Sequence, residues 1–171
     1  MSKNMETLMA ELAMGVVPSI WRQKPYDYPS MRTLGSWLIN LRQRIDQLQE
    51  WAMNPLEIPR VTWISGLFNP QRFLTAILQV AAQIQMLELD KLMISTLVLK
   101  REVEDIETPA RDGAYIHGLH LEGARFDVQA GQLQACKPKE MSFQMPVLHV
   151  KAVPASAAGG SNTFYCPVYK T

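Results

Sequence analysis

From Asp112 to Asp127 the side chains change character with a period of two, and a segment of that kind is accommodated only in a sheet. Tyr115, His117, Leu119 and Leu121 share one side of the extended backbone, whereas Ile116, Gly118 and His120 share the other. One strand is therefore expected over Ala114 to Leu121. Glu122-Gly123-Ala124 reads as a tight turn, and Arg125-Phe126-Asp127-Val128 as a second strand running back.

Upstream the period is near 3.6. Met5 to Gly15 carries Leu8, Met9 and Leu12 on one face, and Gly15 and Pro18 close this short helix. Tyr26 to Ser30 is an irregular connector beside Pro25 and Pro29. A longer amphipathic helix follows from about Thr33 to Met53. Its stripe is Leu34, Trp37, Leu38, Leu41, Ile45, Leu48 and Ala52, and Asn54-Pro55 and Pro59 end it. Val61 to Ile64 is a short strand candidate. Asn69 as cap and Pro70 as first helical residue then open a helix to about Met86 that buries Phe73, Leu74, Ile77, Leu78, Ala81 and Ile84.

From Met93 onward the period switches to two. Strands are expected at Met93 to Glu104, Ala114 to Leu121, Ala124 to Val128, Gln132 to Ala135, Val147 to Val153 and Thr163 to Tyr169. Ala155 to Ser161 forms a flexible loop between the last two. Short strands at this spacing build a small barrel or sandwich. The expected class is α+β: a helical subdomain over residues 1–92, then a small antiparallel β-barrel over residues 93–171.

Bulk properties narrow the function. With 171 residues the protein can bury a self-supporting core without disulfides or metal. Its net charge of +1, from 17 basic and 16 acidic residues, sets up no field that would favour nucleic acid or an anionic membrane. No apolar run approaches the roughly 20 residues of a membrane span. Cys136 and Cys166 are expected to stay free in a reducing cytosolic compartment, and nothing near Met1 has the order of a signal peptide. The start at Met1-Ser2 and the stop at Thr171 suggest a piece of something larger.

The familiar chemistries find little purchase. Ile64-Ser65-Gly66-Leu67-Phe68-Asn69-Pro70 joins a strand to a helix, but it has one glycine and no lysine, so it makes a capped helix start rather than a phosphate cradle. His117 and His120 point to opposite faces of the expected strand, and neither cysteine belongs to a Cys-x-x-Cys pair, which argues against zinc. Ser65 lacks the nucleophile elbow, and Cys166 has no cationic neighbour to make a thiolate. Glu102, Glu104, Asp105 and Glu107 read as a solvated acidic loop. Trp37, Trp51, Trp63, Phe68 and Phe73 are assigned to packing, whereas Trp21, beside Arg22 and Lys24, is a candidate interaction patch.

Four stretches carry a family resemblance, in order, from about Val17 to the C-terminus: Leu34-Gly-Ser-Trp37, Trp63 to Ala76, Asp112 to Asp127, and Tyr165-Cys-Pro-Val-Tyr-Lys-Thr171. Together they resemble the C-terminal domain of dynein heavy chains, the axonemal branch above all. The resemblance implies a non-catalytic structural and regulatory domain, a helical part leading into a β-barrel, that packs on one face of the AAA+ ring and tunes ATP-driven motility. ATP and magnesium would belong to the ring modules, with no cofactor in this domain. Microtubules would be met only through the parent motor, in the axoneme of a cilium or flagellum. The candidate ring-docking residues are Trp21, Arg22, Trp37, Arg42 and Arg44. The family usually continues past Tyr169-Lys170-Thr171 with a glycine-containing hairpin, so the barrel is expected to be incomplete and its open edge to permit a strand-paired dimer. The alternatives are an autonomous peptide- or small-molecule-binding barrel, or an enzyme using Cys166 or His117.

Overall fold

Helix α1 (Lys3–Ala13) and helix α2 (Leu34–Met53) make up the regular part of the first of two units, Met1–Pro55, with a 3-10 turn at Ser19–Arg22 between them. The computed structural model describes residues 2–22, 33–140 and 142–157. The expected connector Tyr26 to Ser30 lies outside them. The Leu34 amide at the head of α2 donates to the Gly15 carbonyl just past α1, at 2.9 Å, which ties the two helix ends together. Among the described residues of this unit only Val17, Pro18 and Trp37 are buried. The core that 171 residues allow is therefore not built here.

It is built in the second unit, Leu56–Thr171. Asn69 caps helix α3 (Pro70–Gln85), its side-chain oxygen accepting from the Arg72 amide at 3.2 Å, with Pro70 in the first turn as expected. Strands β1 (Thr62–Trp63), β2 (Leu92–Val98), β3 (Ala114–His117) and β8 (Leu148–Pro154) form one sheet in the order β1-β3-β8-β2. β1 runs parallel to β3, and the other neighbours are antiparallel. In β8 the period of two is visible directly: Leu148, Val150 and Ala152 are buried, with His149, Lys151 and Val153 between them half-buried. α3 lies against β2 and β8, and its Phe73, Leu74 and Ile77 pack on a core of Ile64, Ile116, Phe126, Met145, Leu148 and Val150.

Two ribbons complete the described strands. β4 (His120–Glu122) pairs with β7 (Ser142–Gln144), and β5 (Ala124–Asp127) with β6 (Gln132–Ala135), both antiparallel. The fold is thus α+β with mixed sheets. No closed barrel is found among the described residues, and the expected strand Thr163 to Tyr169 lies outside them.

Several expectations need correction. The single strand over Ala114 to Leu121 is two strands in different sheets, because Gly118 adopts φ 81° and breaks the extended path. Gly118 also faces the Trp63 indole, where a Cβ would collide with the ring. The hairpin expected across Glu122-Gly123-Ala124 does not pair its flanks; the hairpin is β5–β6 instead. Asp127 closes that turn, its carboxylate accepting from the Gln129 and Ala130 amides at 2.9 and 3.0 Å, and Gly131 enters β6 at φ 69°. The strand expected from Met93 to Glu104 ends at Val98, and a 3-10 turn at Val103–Asp105 follows.

Candidate functional site

Trp21 and Trp37 are brought together, with ring centroids 6.0 Å apart and 24° between the planes. Local bonds explain why Trp21 is there. Its amide donates to the Pro18 carbonyl, and one Glu11 oxygen accepts from both the Ser19 amide at 3.0 Å and the Ser19 hydroxyl at 3.2 Å, fixing the 3-10 turn to α1. Trp37 comes from near the start of α2 and is buried, whereas Trp21 is 40% exposed and has Ile20, 45% exposed, as its neighbour. The stack thus has an inner and an outer ring. Met5, Met9 and Leu12 occupy one face of α1 and are exposed as well.

Of the cationic candidates, Arg22 lies next to Trp21 in the same turn and is exposed. Arg42 and Arg44 do not share a side. Two positions along an α-helix diverge by about 200°. Arg42 makes an exposed pair with Asp46 one turn on, 3.8 Å apart, whereas the half-buried Arg44 donates from Nε to Asn40 Oδ1 at 2.9 Å. Arg44 falls on the Trp37 side of α2 and Arg42 on the opposite, exposed side. Helical geometry would have separated the two in the sequence.

The titratable side chains of the second unit are arranged differently. His117, half-buried at the end of β3, has its pKa lowered by burial, with the Glu104 charge opposing. His120 lies in another sheet, and among the described residues no group of three or more His, Cys, Asp or Glu side chains could hold a metal ion. Cys136 is a free thiol, and Cys166 lies outside the described residues. A further cluster is absent from the sequence reading. His149 Nε2 sits 2.7 Å from the Asp112 carbonyl, its ring meets Tyr115 edge-on at 5.1 Å, and Lys151 Nζ is 3.5 Å from the Asp112 carboxylate. No local pattern announces it: Tyr115 and His149 stand opposite each other only through the β3–β8 register, a pairing distant in sequence. Tyr115 also lines a cavity of about 370 Å³ together with Leu99, Lys100, Arg101, Ile106 and Thr108. No helix among the described residues is long and apolar enough to cross a membrane.

The family defined by the C-terminal domain of dynein heavy chains matches residues 1–171, and the protein belongs to that family. It is 48% identical, over 100% of its own length, to the dynein beta chain of the flagellar outer arm of Chlamydomonas reinhardtii. Over 98% of its length it is 40% identical both to mouse (Mus musculus) dynein axonemal heavy chain 17 and to the ciliary dynein beta chain of Tripneustes gratilla. The 171 residues span 4% of the length of each of these relatives.

Proposed function

We propose that this protein is a non-catalytic docking and regulatory module of an axonemal dynein heavy chain, packing on the AAA+ ring and tuning how ATP turnover is coupled to movement along microtubules. One observation carries this: the first unit buries only Val17, Pro18 and Trp37 among its described residues and leaves Met5, Met9, Ile20 and Trp21 exposed. An α-helical unit with so little covered apolar surface needs a partner surface to be stable, and exposed apolar patches of this kind mark docking sites. Trp21 and Arg22 form the outer contact, Trp37 supports Trp21 from beneath, and Arg42 and Arg44 supply charge on two sides of α2. ATP and magnesium act in the ring, not here, and the motor works in the axoneme of a cilium or flagellum.

The test uses the full-length motor bearing Ile20→Glu and Trp21→Glu, with microtubule-stimulated ATPase and gliding velocity measured on the same preparation. A changed ratio of velocity to ATP turnover is expected while the ring remains assembled in electron micrographs. An unchanged ratio, with the module still seated on the ring, would refute the proposal.

A second reading, an autonomous peptide- or small-molecule-binding barrel, draws on the cavity beside Tyr115, which lies at the small end of ligand-site volumes. A melting temperature raised by several degrees with micromolar peptide or nucleotide would favour it.

A further inference from the structure

The loop from Leu99 to Gly113, between β2 and β3, is pinned at both ends. The Leu99 amide donates to the Val147 carbonyl at 2.8 Å, and the Asp112 carbonyl meets His149 Nε2 at 2.7 Å. Between these points Ile106 and Ala110 are buried, and Gly113 turns at φ 68° where a Cβ would run into the Val150 carbonyl. Four of the loop's five acidic side chains face other groups. Glu102 and Asp105 close their own turn, each carboxylate accepting from the other residue's amide. The Asp112 carboxylate lies 3.5 Å from Lys151 Nζ and 3.6 Å from His149 Nε2, and the Glu104 charge acts on His117. Lys100, Arg101 and Glu107 instead line the cavity of about 370 Å³.

We propose that this cavity binds an acidic peptide segment of a partner protein, one in which a glutamate or aspartate stands beside an apolar residue. The lining has the two halves such a ligand needs. Leu99, the buried Ile106 and the Tyr115 ring supply an apolar floor, and Tyr115 is held in place by the His149 ring edge-on at 5.1 Å. Lys100 and Arg101 are exposed and outnumber the single lining carboxylate of Glu107, so the cavity attracts an anion. Arginine takes a carboxylate through paired N–H donors, and lysine adds a point charge. Thr108 contributes a hydroxyl that can donate to or accept from a peptide backbone. The volume is at the small end of ligand sites, which suits a pair of side chains rather than a longer stretch of chain. Residues 158–171 contain no aspartate or glutamate, so the acidic side chain does not come from that segment. Because the loop is pinned before any ligand arrives, little ordering opposes binding. The site lies in the second unit; it gives the peptide-binding reading a place and does not depend on the ring contact proposed for the first.

Fluorescence anisotropy with two labelled peptides tests it: Gly-Glu-Leu-Glu-Leu-Gly and, as the control, Gly-Lys-Leu-Lys-Leu-Gly. The 171-residue protein should bind the acidic peptide about tenfold or more tightly than the basic one. Lys100→Glu with Arg101→Glu should reverse that preference and leave circular dichroism unchanged, since both positions are exposed. Ile20→Glu with Trp21→Glu, which addresses the ring contact, should leave peptide binding as it is, so the two proposals stand or fall separately. Should the reversed variant fail to fold, amide chemical shifts of the unaltered protein under titration with the acidic peptide decide instead: the changes should cluster at Leu99 to Thr108 and at Tyr115. Equal binding of the two peptides, a preference that survives charge reversal, or shifts centred outside this loop would overturn the proposal. Displacement of the acidic peptide by an equal concentration of inorganic phosphate would mark a site for small anions and overturn the peptide assignment.

Discussion

The indole of Trp21 stacks on that of Trp37 at 6.0 Å, and this contact joins the 3-10 turn to α2 in a unit with few other buried side chains. The two rings should not be equivalent. Trp37 is buried, and its replacement by alanine should cost about 3–5 kcal/mol, as large core truncations do. Trp21→Ala should cost only about 1 kcal/mol, because the outer ring keeps much of its surface in solvent. Hydrogen exchange separates them: Trp37→Ala should raise exchange across α1 and α2 while β8 stays protected. Equal exchange in the two variants would contradict the inner and outer assignment.

Gly118 has to be glycine for two reasons that act together. Its φ of 81° is unfavourable for any residue with a Cβ, and the added atom would run into the Trp63 ring and the Ser65 hydroxyl. Gly118→Ala should therefore destabilise the protein by roughly 2–4 kcal/mol in urea titration. Trp63→Leu in the same molecule should recover part of that loss. Full additivity of the two changes would show that the ring is not the obstacle.

These two positions also show what could be read from the sequence alone. The Asn69-Pro70 helix start was legible because a cap and a first-turn proline act within a few residues, and the hairpin strand at Gln132–Ala135 because it is bounded by turn chemistry. Gly118 was not, since a glycine within an alternating run does not disturb the period although its backbone turns the strand aside. Ser142–Gln144 was missed for another reason: its three residues form a strand through pairing with His120–Glu122, a contact distant in sequence and silent in local pattern. At the candidate site the aromatic pair was anticipated as two separate residues, and their stacking depends on the turn that Glu11 holds.

His117 should make stability depend on pH in the range where imidazole titrates. Burial lowers its pKa in the folded protein from 6.5, and the Glu104 charge only partly offsets this. The unfolded state then binds the proton more readily, so the contribution is present above about pH 6.5 and is lost as the pH falls toward the folded value. His117→Gln should flatten the decline in melting temperature between about pH 7 and 5. A decline of the same slope in the variant would assign it to other groups.

Arg125 presents the opposite situation, a charge retained where little repays its burial. Its Nε is buried without a hydrogen-bond partner, its Nη1 is 3.9 Å from Glu140, and the guanidinium lies 5.6 Å from the centre of the Phe143 ring. An ion pair at that distance contributes little, and the unsatisfied donor costs about 1–3 kcal/mol. Methionine can keep the stem packed on Phe143 while removing the donor. Arg125→Met should accordingly change stability by no more than about 1 kcal/mol in either direction, whereas Arg125→Ala, which also loses the stem, should be clearly destabilising. Urea titration of the two variants distinguishes packing from charge. If methionine proved as costly as alanine, the guanidinium itself, through Phe143 and Glu140, would be what holds β5 to β7.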